Sequence, residues 1–395
     1  MTITFVSNYI NHHQIPMAEE LYKALGDDYR FVETEPMETE RVSMGWDSDT
    51  ASLPYVIRYY ENPACAQLLI DDSDVVVFGG CDDESYIANR LREKKPVIRV
   101  SERLYKSGQW KAISPRGLIK KYKDHTSHRE DPVIILCAGA YVPSDFSIIK
   151  AYPNKMYKWG YFPPATEENL SELFQLKEEN KVTEILWAGR FIDWKHPDDA
   201  IEVAKRLKKD NISFHLTMVG GGDMEGQIKA EIAANNLQEN ITLEGYKKPE
   251  EVRQYMRKAD IFLFTSDYLE GWGAVLNEAM NSGCAVVANS ATGATPYLIN
   301  FGNNGYAYKN GDIDELYRLT KRLAQDNDER RKLGANAYKT IDTTWNAKKA
   351  AEQIIRLSRM LTEDIGIPDP EDGPGSKANV IPVRKMWAAI QAKRV

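Results

Sequence analysis

The sequence contains few cysteines and histidines, and neither residue type forms a metal-binding pattern. The four cysteines lie far apart along the chain: Cys65, Cys81, Cys137 and Cys284. The six histidines are also scattered, and the close pairs His12–His13 and His125/His128 have no carboxylate at ligand spacing. These absences argue against a structural metal and are typical of reduced thiols in a cytoplasmic protein.

Long apolar runs and a basic leader are also absent. The longest apolar runs, such as DVVVFGG at 74–80 and IFLFTS at 261–266, have the length of strands and fall short of the ~20 residues that span a bilayer. The start, MTITFVSNYI, has a strand pattern, so we expect no signal peptide. The net charge of −7 and the pI near 5.6 argue against general nucleic-acid binding.

What the sequence does contain is a regular alternation of strand and helix patterns. With 395 residues, the chain is too long for one ordinary core. The first half predicts strands at 2–7, 30–34, 74–79, 96–100, 132–140 and 155–162. The second half predicts strands at 184–189, 214–220, 241–245, 261–266, 284–289 and 304–309. The alternation indicates βαβ units and hence two doubly wound parallel sheets of the α/β class.

The segments between the predicted strands indicate where helices and domain boundaries are expected. Amphipathic patterns predict helices at 17–25, 85–93, 198–210, 249–259, 312–325, 328–341 and 343–361. The segment 36–54 is acidic and fits no element, and 61–70 is amphipathic. We place an N-terminal domain at 1–163, a charged linker at 164–182, either irregular or partly helical, and a C-terminal domain at 183–342.

The stretch EGWGAVLNEAM at 270–280 follows a predicted strand and then turns helical. Gly271 and Gly273 stand at the turn, where the free N–H groups of the following helix make an anion site. Glu270 precedes this helix, and Glu278 lies about two turns further on. A phosphate with a carboxylate on either side suits a nucleotide sugar. The alternative is that two glutamates eight residues apart are ordinary solvated side chains.

Other loops at the same edge of the sheet carry further candidates, because ligands bind beyond the carboxyl ends of parallel strands. Arg190 and Lys195 follow the strand at 184–189 and can stabilise a leaving diphosphate, unless they are solvated surface cations. Gly221, in VGGGD, permits close approach to a ligand or makes a tight turn. Tyr246 either borders a base or packs. The dinucleotide fingerprint G-x-G-x-x-G is missing, which disfavours an NAD enzyme.

Four segments occur in an order that matches a known family. GRF…WKHPDDAIEVAKRL, MVGGGDMEGQI, ITLEGYKKPEEVRQYMRKADIFLFTS and EGWGAVLNEAMNSGCAVVANSATG, across about 184–326, resemble the C-terminal domain of the family 4 retaining glycosyltransferases. The resemblance implies the GT-B architecture, two Rossmann-like doubly wound domains facing across a cleft. It implies transfer of a sugar, with retention, from a nucleotide-diphosphate donor to a saccharide or lipid-linked saccharide acceptor.

The resemblance also assigns roles to the donor-side residues. Arg190 and Lys195 would hold the diphosphate, and the backbone near Gly273 and Ala274 would complete the phosphate site. No divalent metal and no cofactor are implied, because the cations and the helix end take the metal's place.

Glu270 would contact the sugar hydroxyls and Glu278 the ribose, so neither carboxylate is expected to act as in a two-carboxylate glycosidase. Gly271, Gly221 and Tyr246 complete the predicted donor site. The donor is expected to be a UDP-sugar, with a GDP-sugar as the alternative. One departure from the family is Tyr297, which stands where a glutamate is common.

The acceptor side is expected on loops of the first domain. His12 and His13 follow the first strand, and we favour His13 for orienting the acceptor or acting on its hydroxyl, because it lies nearer the helix. Glu102 and Arg103 stand where many family members have a histidine. The segments NHHQIPMAEEL, SERLYKSG and YKWGYFPP resemble a branch that builds bacterial capsular or exported polysaccharides.

The C-terminal end carries two further expectations. The family's last helix returns to the first domain, so 343–395 is expected to join 1–163. A tail with Arg384, Lys385, Trp387, Lys393 and Arg394 can lie on an anionic membrane surface, or else is a plain surface helix or a disordered end. The protein would then be cytoplasmic and peripheral at the inner face of the membrane.

Two other readings of the whole chain stay open at this point. A glycosyltransferase-like scaffold or regulatory subunit is permitted by the missing histidine near 101–108. A different GT-B enzyme, such as an epimerase or phosphorylase, fits the loops less well.

Overall fold

The computed structural model describes residues 1–38, 52–363, 365–393 and 395. This chain divides into two compact units, one formed by Met1–Pro164 with Trp345–Val383 and the other by Ala165–Thr344 with Arg384–Val395. Most of the predicted irregular segment 36–54 lies outside the described residues, as does Arg394 of the predicted basic tail.

The first unit is built on a seven-stranded parallel sheet in the order β3-β2-β1-β4-β5-β6-β7. Its strands are β1 Ile3–Ser7, β2 Tyr29–Glu33, β3 Val56–Arg58, β4 Val75–Gly79, β5 Val97–Ser101, β6 Val133–Ala138 and β7 Met156–Trp159. Phe5 in β1 lies opposite Phe31 on one side and Val77 on the other. Burial on both faces explains the continuous apolar runs of the central strands.

Six of these strands were predicted, and β3 was missed. It has three residues, all half-buried, so no apolar run marks it. The α-helices of this unit are Ile15–Leu25, Pro63–Asp72, Ala88–Arg92, Pro115–Asp124, Val142–Ile148 and Ala347–Glu363. Short 3₁₀ helices occur at Gly26–Asp28, Glu84–Ile87, Gln109–Ile113 and Thr126–His128. The returning helix Ala347–Glu363 packs on Ile15–Leu25 within this unit.

The second unit is built on a six-stranded parallel sheet in the order β10-β9-β8-β11-β12-β13. Its strands are β8 Thr183–Ala188, β9 Phe214–Val219, β10 Ile241–Gly245, β11 Ile261–Phe264, β12 Ala285–Asn289 and β13 Tyr306–Tyr308. All six were predicted to within a few residues. The fold class is thereby confirmed: two Rossmann-like parallel-sheet units with helices around them.

The helices of the second unit include one in the segment predicted to be a linker. They are Leu170–Glu178, Pro197–Lys209, Glu225–Ala234, Pro249–Lys258, Val275–Asn281, Thr295–Leu298, Ile313–Gln325, Asn327–Thr343 and Met386–Gln391. A 3₁₀ turn at Val383–Lys385 precedes the last of these, and another spans Asp193–Lys195. No helix in the described part of the chain combines the length and the apolar content that crossing a bilayer requires.

The helix Leu170–Glu178 is held by side chains that a linker would leave in solvent. Leu173, Phe174 and Lys177 are buried. The Lys177 ammonium donates to the carbonyl oxygens of Met256, at 3.3 Å, and Ala259. The many charges of the segment 166–181 concealed this buried face in the sequence.

Candidate active site

The loops after β8, β9, β10 and β11 are joined by backbone hydrogen bonds at one edge of the second sheet. The Phe191 N–H donates to the Gly221 carbonyl at 2.8 Å, and the Gly220 N–H donates to the Gly245 carbonyl at 2.9 Å. The Asp267 N–H donates to the Trp194 carbonyl at 2.9 Å. The loops therefore form one continuous surface at the carboxyl ends of the strands, where ligands of such sheets bind.

Lys195 and Glu270 meet on this surface. The Lys195 Nζ lies 2.6 Å from Glu270 Oε2, with the two side chains 16% and 17% exposed. The Lys195 carbonyl accepts from Thr265 Oγ1 at 2.6 Å, and Thr265 in turn accepts from the Trp187 indole at 2.8 Å. Two residues predicted from separate loops are thus brought together as one ion pair.

Gly273 occupies a backbone position that only glycine fits. Its φ is +90°, and a Cβ there would lie 2.3 Å from the Phe264 ring. The helix Val275–Asn281 begins just after this turn. Among the described residues, no protein acceptor is found for the N–H groups of Gly273 and Ala274. Both residues are buried, so these amides are available to an anion.

Glu278 lies on the same helix and is largely buried. Its carboxylate is 3.6 Å from the guanidinium of Arg253, and its side chain is 13% exposed. Burial raises the pKa of Glu278, and the charge of Arg253 opposes that rise. Sequence reasoning missed Arg253, because it lies on the neighbouring helix Pro249–Lys258 and no spacing connects the two.

Tyr246 and Gly221 lie against each other. A Cβ on Gly221 would come within 2.7 Å of the Tyr246 ring, so glycine is what lets the ring approach the backbone. The ring is 62% exposed. Tyr246 therefore packs on the Gly221 backbone while most of the residue stays exposed, and its contact with a base stays a prediction.

Arg190 is the second predicted cation. Its guanidinium lies 5.8 Å above the Trp194 ring, and the residue is exposed. Within the described ranges it forms no ion pair, so its charge is available to a ligand at this edge.

A group of possible metal ligands follows Lys195 in the chain. Ligand atoms of His196, Asp198 and Asp199 all lie within 4.8 Å of one another. His196 adopts a left-handed backbone with φ +48°, and its Nε2 is 3.2 Å from Asp267 Oδ2. Burial raises the pKa of Asp199 to about 6, with His196 opposing and Asp198 adding to the rise. That the protein needs no metal stays a prediction.

The predicted acceptor-side residues lie in the first unit, where His13 and Glu102 contact a common neighbour. The His12 and His13 rings are 3.8 Å apart, and His13 stacks at 6.2 Å on Tyr161. The Tyr161 hydroxyl donates to Glu102 Oε1 at 2.5 Å. Lys106 contacts the other oxygen of Glu102 at 2.5 Å. Sequence reasoning missed Tyr161 and Lys106 as members of this cluster.

Arg103 is engaged within the fold. Its guanidinium forms two hydrogen bonds of 3.2 Å to Asp145, and the two side chains are 6% and 0% exposed. Asp145 also accepts from the Tyr105 N–H at 3.1 Å and from Gln109 at 2.8 Å. Arg103 therefore neutralises the buried carboxylate of Asp145. Its role toward an acceptor stays a prediction.

Two Rossmann-like units, each built on a parallel sheet, are the architecture of the GT-B fold, and solved structures share this fold. HepE from Anabaena, solved in complex with UDP, is 15% identical with a TM-score of 0.66, over 90% of this chain and 99% of that one. The lipopolysaccharide outer core galactosyltransferase WaaB is 15% identical with a TM-score of 0.65, over 92% of this chain and 99% of that one. Likeness at this identity establishes the fold.

Sequence comparisons give a family match for the second unit and two similar curated proteins. Residues 169–340 match the family model of glycosyl transferases group 1, so the second unit is similar to the members of that family. The amylovoran biosynthesis glycosyltransferase AmsK of Erwinia amylovora is 27% identical over 331 residues, covering 80% of this chain and 76% of that protein. The putative colanic acid biosynthesis glycosyltransferase WcaL of Escherichia coli is 26% identical over 184 residues, which is 45% of either chain.

Proposed function

We propose that the protein is a retaining hexosyltransferase that moves a sugar from a nucleotide-diphosphate donor to a saccharide or lipid-linked saccharide acceptor. The observation that carries this proposal is the Lys195–Glu270 ion pair, at 2.6 Å, beside the glycine turn that opens the helix Val275–Asn281. The cation and the free amides would bind the diphosphate of a sugar nucleotide, and the carboxylate would accept hydrogen bonds from the sugar hydroxyls.

The donor would bind with its diphosphate against the amides of Gly273 and Ala274. Lys195 and Arg190 would neutralise its charge. In the absence of donor, Lys195 is paired with Glu270. A diphosphate competes for the Lys195 ammonium, which leaves the Glu270 carboxylate to accept hydrogen bonds from sugar hydroxyls. Glu278 would accept from the ribose, with Arg253 holding the carboxylate in its charged form.

The transfer itself breaks the bond between the anomeric carbon and the diphosphate oxygen. It forms a bond from that carbon to the acceptor oxygen on the same face of the sugar. The departing phosphate takes the proton of the acceptor hydroxyl. Lys195 and Arg190 stabilise the negative charge that grows on the diphosphate as the bond breaks. No residue of the chain needs to form a covalent intermediate in this scheme.

The identity of donor and acceptor rests on the relatives. A UDP-sugar is favoured, because HepE was solved with UDP, and a GDP-sugar is the alternative. The relatives AmsK and WcaL carry the names of exopolysaccharides, amylovoran and colanic acid, which supports a role in polysaccharide biosynthesis. His13, supported by Tyr161 and Glu102, is proposed to meet the acceptor.

Removing either partner of the ion pair tests the site. We expect Glu270→Gln and Lys195→Met each to lower transfer by at least a hundredfold, because the diphosphate loses its cation or the sugar its acceptor group. Glu202→Gln and Lys205→Met are matched controls, since these residues form a 3.0 Å ion pair on the surface of the same unit. Transfer from a panel of UDP- and GDP-sugars, with thermal unfolding as a folding check, makes the measurement.

The outcomes separate the alternatives. Full activity of both site variants would contradict the assignment. Failure of the wild-type protein to bind any nucleoside diphosphate by calorimetry would favour a scaffold or regulatory subunit. Release of a free sugar phosphate or of an epimerised nucleotide sugar would favour a phosphorylase or an epimerase. The anomeric configuration of the product, read by NMR, decides retention.

A further inference from the structure

One surface of the first unit exposes apolar side chains at unusual density. Of the thirteen large hydrophobic residues that are exposed in the described part of the chain, five lie between positions 110 and 122. They are Trp110 (70% exposed), Ile113 (79%), Leu118 (42%), Ile119 (60%) and Tyr122 (61%). We refer to residues 110–123 as the 110–123 surface. Concentrated apolar exposure of this kind marks an interaction site.

The helix Pro115–Asp124 in this surface exposes its apolar face to solvent, whereas an ordinary surface helix buries that face. At about 100° per residue, Leu118, Ile119 and Tyr122 fall on one face. Gly117, Lys121 and Asp124 fall on the other face, and within this helix those three are the partly covered residues. The Lys121 ammonium lies 5.8 Å above the Tyr105 ring. The charged side chain therefore packs inward while the apolar face points to solvent.

The same surface is strongly basic in an acidic protein. Five basic residues, Lys111, Arg116, Lys120, Lys121 and Lys123, stand between 110 and 123, and no acidic residue does. The acid that follows, Asp124, is paired with Lys120 at 2.9 Å. The chain as a whole has a net charge of −7. This local excess of positive charge is complementary to a negatively charged partner.

We propose that the 110–123 surface docks the protein on a membrane containing anionic phospholipids. An outward apolar stripe carrying a tryptophan and a tyrosine, flanked by lysines and arginine, combines burial in the acyl boundary with attraction to anionic headgroups. The inference is independent of the sugar chemistry proposed above.

This places the membrane contact away from the basic tail that the sequence suggested. In the helix Met386–Gln391, Met386 and Ile390 are buried, so the tail offers charges with little apolar area to insert. The 110–123 surface offers both. It also follows Glu102 by only a few residues in the chain, which would bring a lipid-linked acceptor close to the proposed acceptor cluster.

Vesicle co-sedimentation of the full chain tests the proposal. Vesicles of phosphatidylcholine with about a third phosphatidylglycerol should sediment the protein, and vesicles of pure phosphatidylcholine should not. Ile113→Ser with Ile119→Ser should weaken binding at least tenfold, and Arg116→Glu with Lys123→Glu should do the same. The matched controls are Leu68→Ser, an equally exposed leucine of the same unit at 62%, and Lys23→Glu, whose side chain is 79% exposed.

Three results would overturn the proposal. The first is an absence of sedimentation with anionic vesicles. The second is undiminished binding by both double variants. The third is a protein dimer, seen by sedimentation velocity, that Ile113→Ser with Ile119→Ser dissociates while vesicle binding is unchanged. That last result would assign the surface to a second copy of the chain. Because all substituted side chains are exposed, loss of folding is not expected, and thermal unfolding checks it.

Discussion

Lys195 and Glu270 neutralise each other before any ligand is present. Each side chain is about one-sixth exposed, so either charge left alone would lose solvation without a partner. The pair therefore balances the two charges in the ligand-free protein, and the proposed binding of a diphosphate would exchange one anion for another at Lys195. Both residues were predicted because each lies in the loop after a strand, and the carboxyl ends of parallel strands lie at the same edge of the sheet.

Other residues of the sites could not be found in this way. Arg253 reaches Glu278 from a neighbouring helix, and Tyr161 reaches Glu102 from 59 positions along the chain. Neither contact has a fixed sequence spacing, because each depends on how separate elements pack. Arg103 has a further contact of this kind, because its guanidinium pairs with the fully buried Asp145, 42 positions along the chain.

Gly273→Ala tests the backbone at the turn. The change places a Cβ at φ +90° and 2.3 Å from the Phe264 ring. We expect a loss of at least about 1–3 kcal/mol in the free energy of unfolding. Gly226→Ala is the control, because its helical site has no atom within 4 Å, and it should be neutral or stabilising by about 0.5–1 kcal/mol. Urea unfolding measures both, and equal stability of the two variants would refute the argument.

His215 predicts a pH dependence of stability. Its Nδ1 lies 3.1 Å from Glu184 Oε2, and its Nε2 lies 2.9 Å from Thr242 Oγ1. The hydrogen bond to Glu184 raises the pKa of His215, burial opposes the rise, and Glu184 and Glu244 add to it through charge. The stabilisation is complete below the pKa of the unfolded histidine, about 6.5. It is lost as the pH rises through the higher pKa of the folded state.

His215→Gln and Glu184→Gln should each remove this loss of stability between about pH 6 and 8. Urea unfolding of the wild type and both variants across that range measures it. A wild-type slope that persists in both variants would assign the dependence to another group.

At the scale of elements, the helix Leu170–Glu178 shows that a highly charged segment can contain a buried helix face. Leu173 and Phe174 are adjacent and buried, and Lys177 follows on the same face with its ammonium on backbone carbonyls. A lysine at a core position gives no apolar signal, so the segment predicted a linker. The helix Pro115–Asp124 was not predicted, and none of its residues is fully buried. Most strands were found because apolar runs mark them in the sequence, as in β4, β6 and β12, whose residues are all buried.

Leu173→Ala tests whether this helix belongs to the core of the second unit. Leu173 is 1% exposed and would lie 3.0 Å from a Cβ on Gly283. We expect a loss of about 2–5 kcal/mol in the free energy of unfolding. Gln175→Ala, at an exposed position of the same helix, should stay within about 0.5 kcal/mol. If Leu173→Ala were as stable as that control, the segment would behave as a linker after all.

At the scale of the whole molecule, each unit has its own sheet and its own core. A donor that binds only the folded second unit stabilises it by about 2.7 kcal/mol at a hundred times its Kd. UDP should therefore slow amide hydrogen exchange in the sheet of 183–308. The change in amide exchange rate within residues 1–164 on addition of UDP serves as the internal reference. Protection confined to 1–164 would contradict the placement of the donor site.

The order of strands in the second sheet has a consequence for how the site can change. From β8 the chain winds outward through β9 to β10, then returns to the other side of β8 to continue with β11, β12 and β13. The winding reverses between β8 and β11, so the connections leaving these two strands diverge and a crevice opens where they part. Lys195 follows β8 and Glu270 follows β11, one on each side of this topological switch point. Because the crevice comes from the winding of the sheet, the loops beside it can be exchanged to accept a different ligand while the sheet that supports them stays the same.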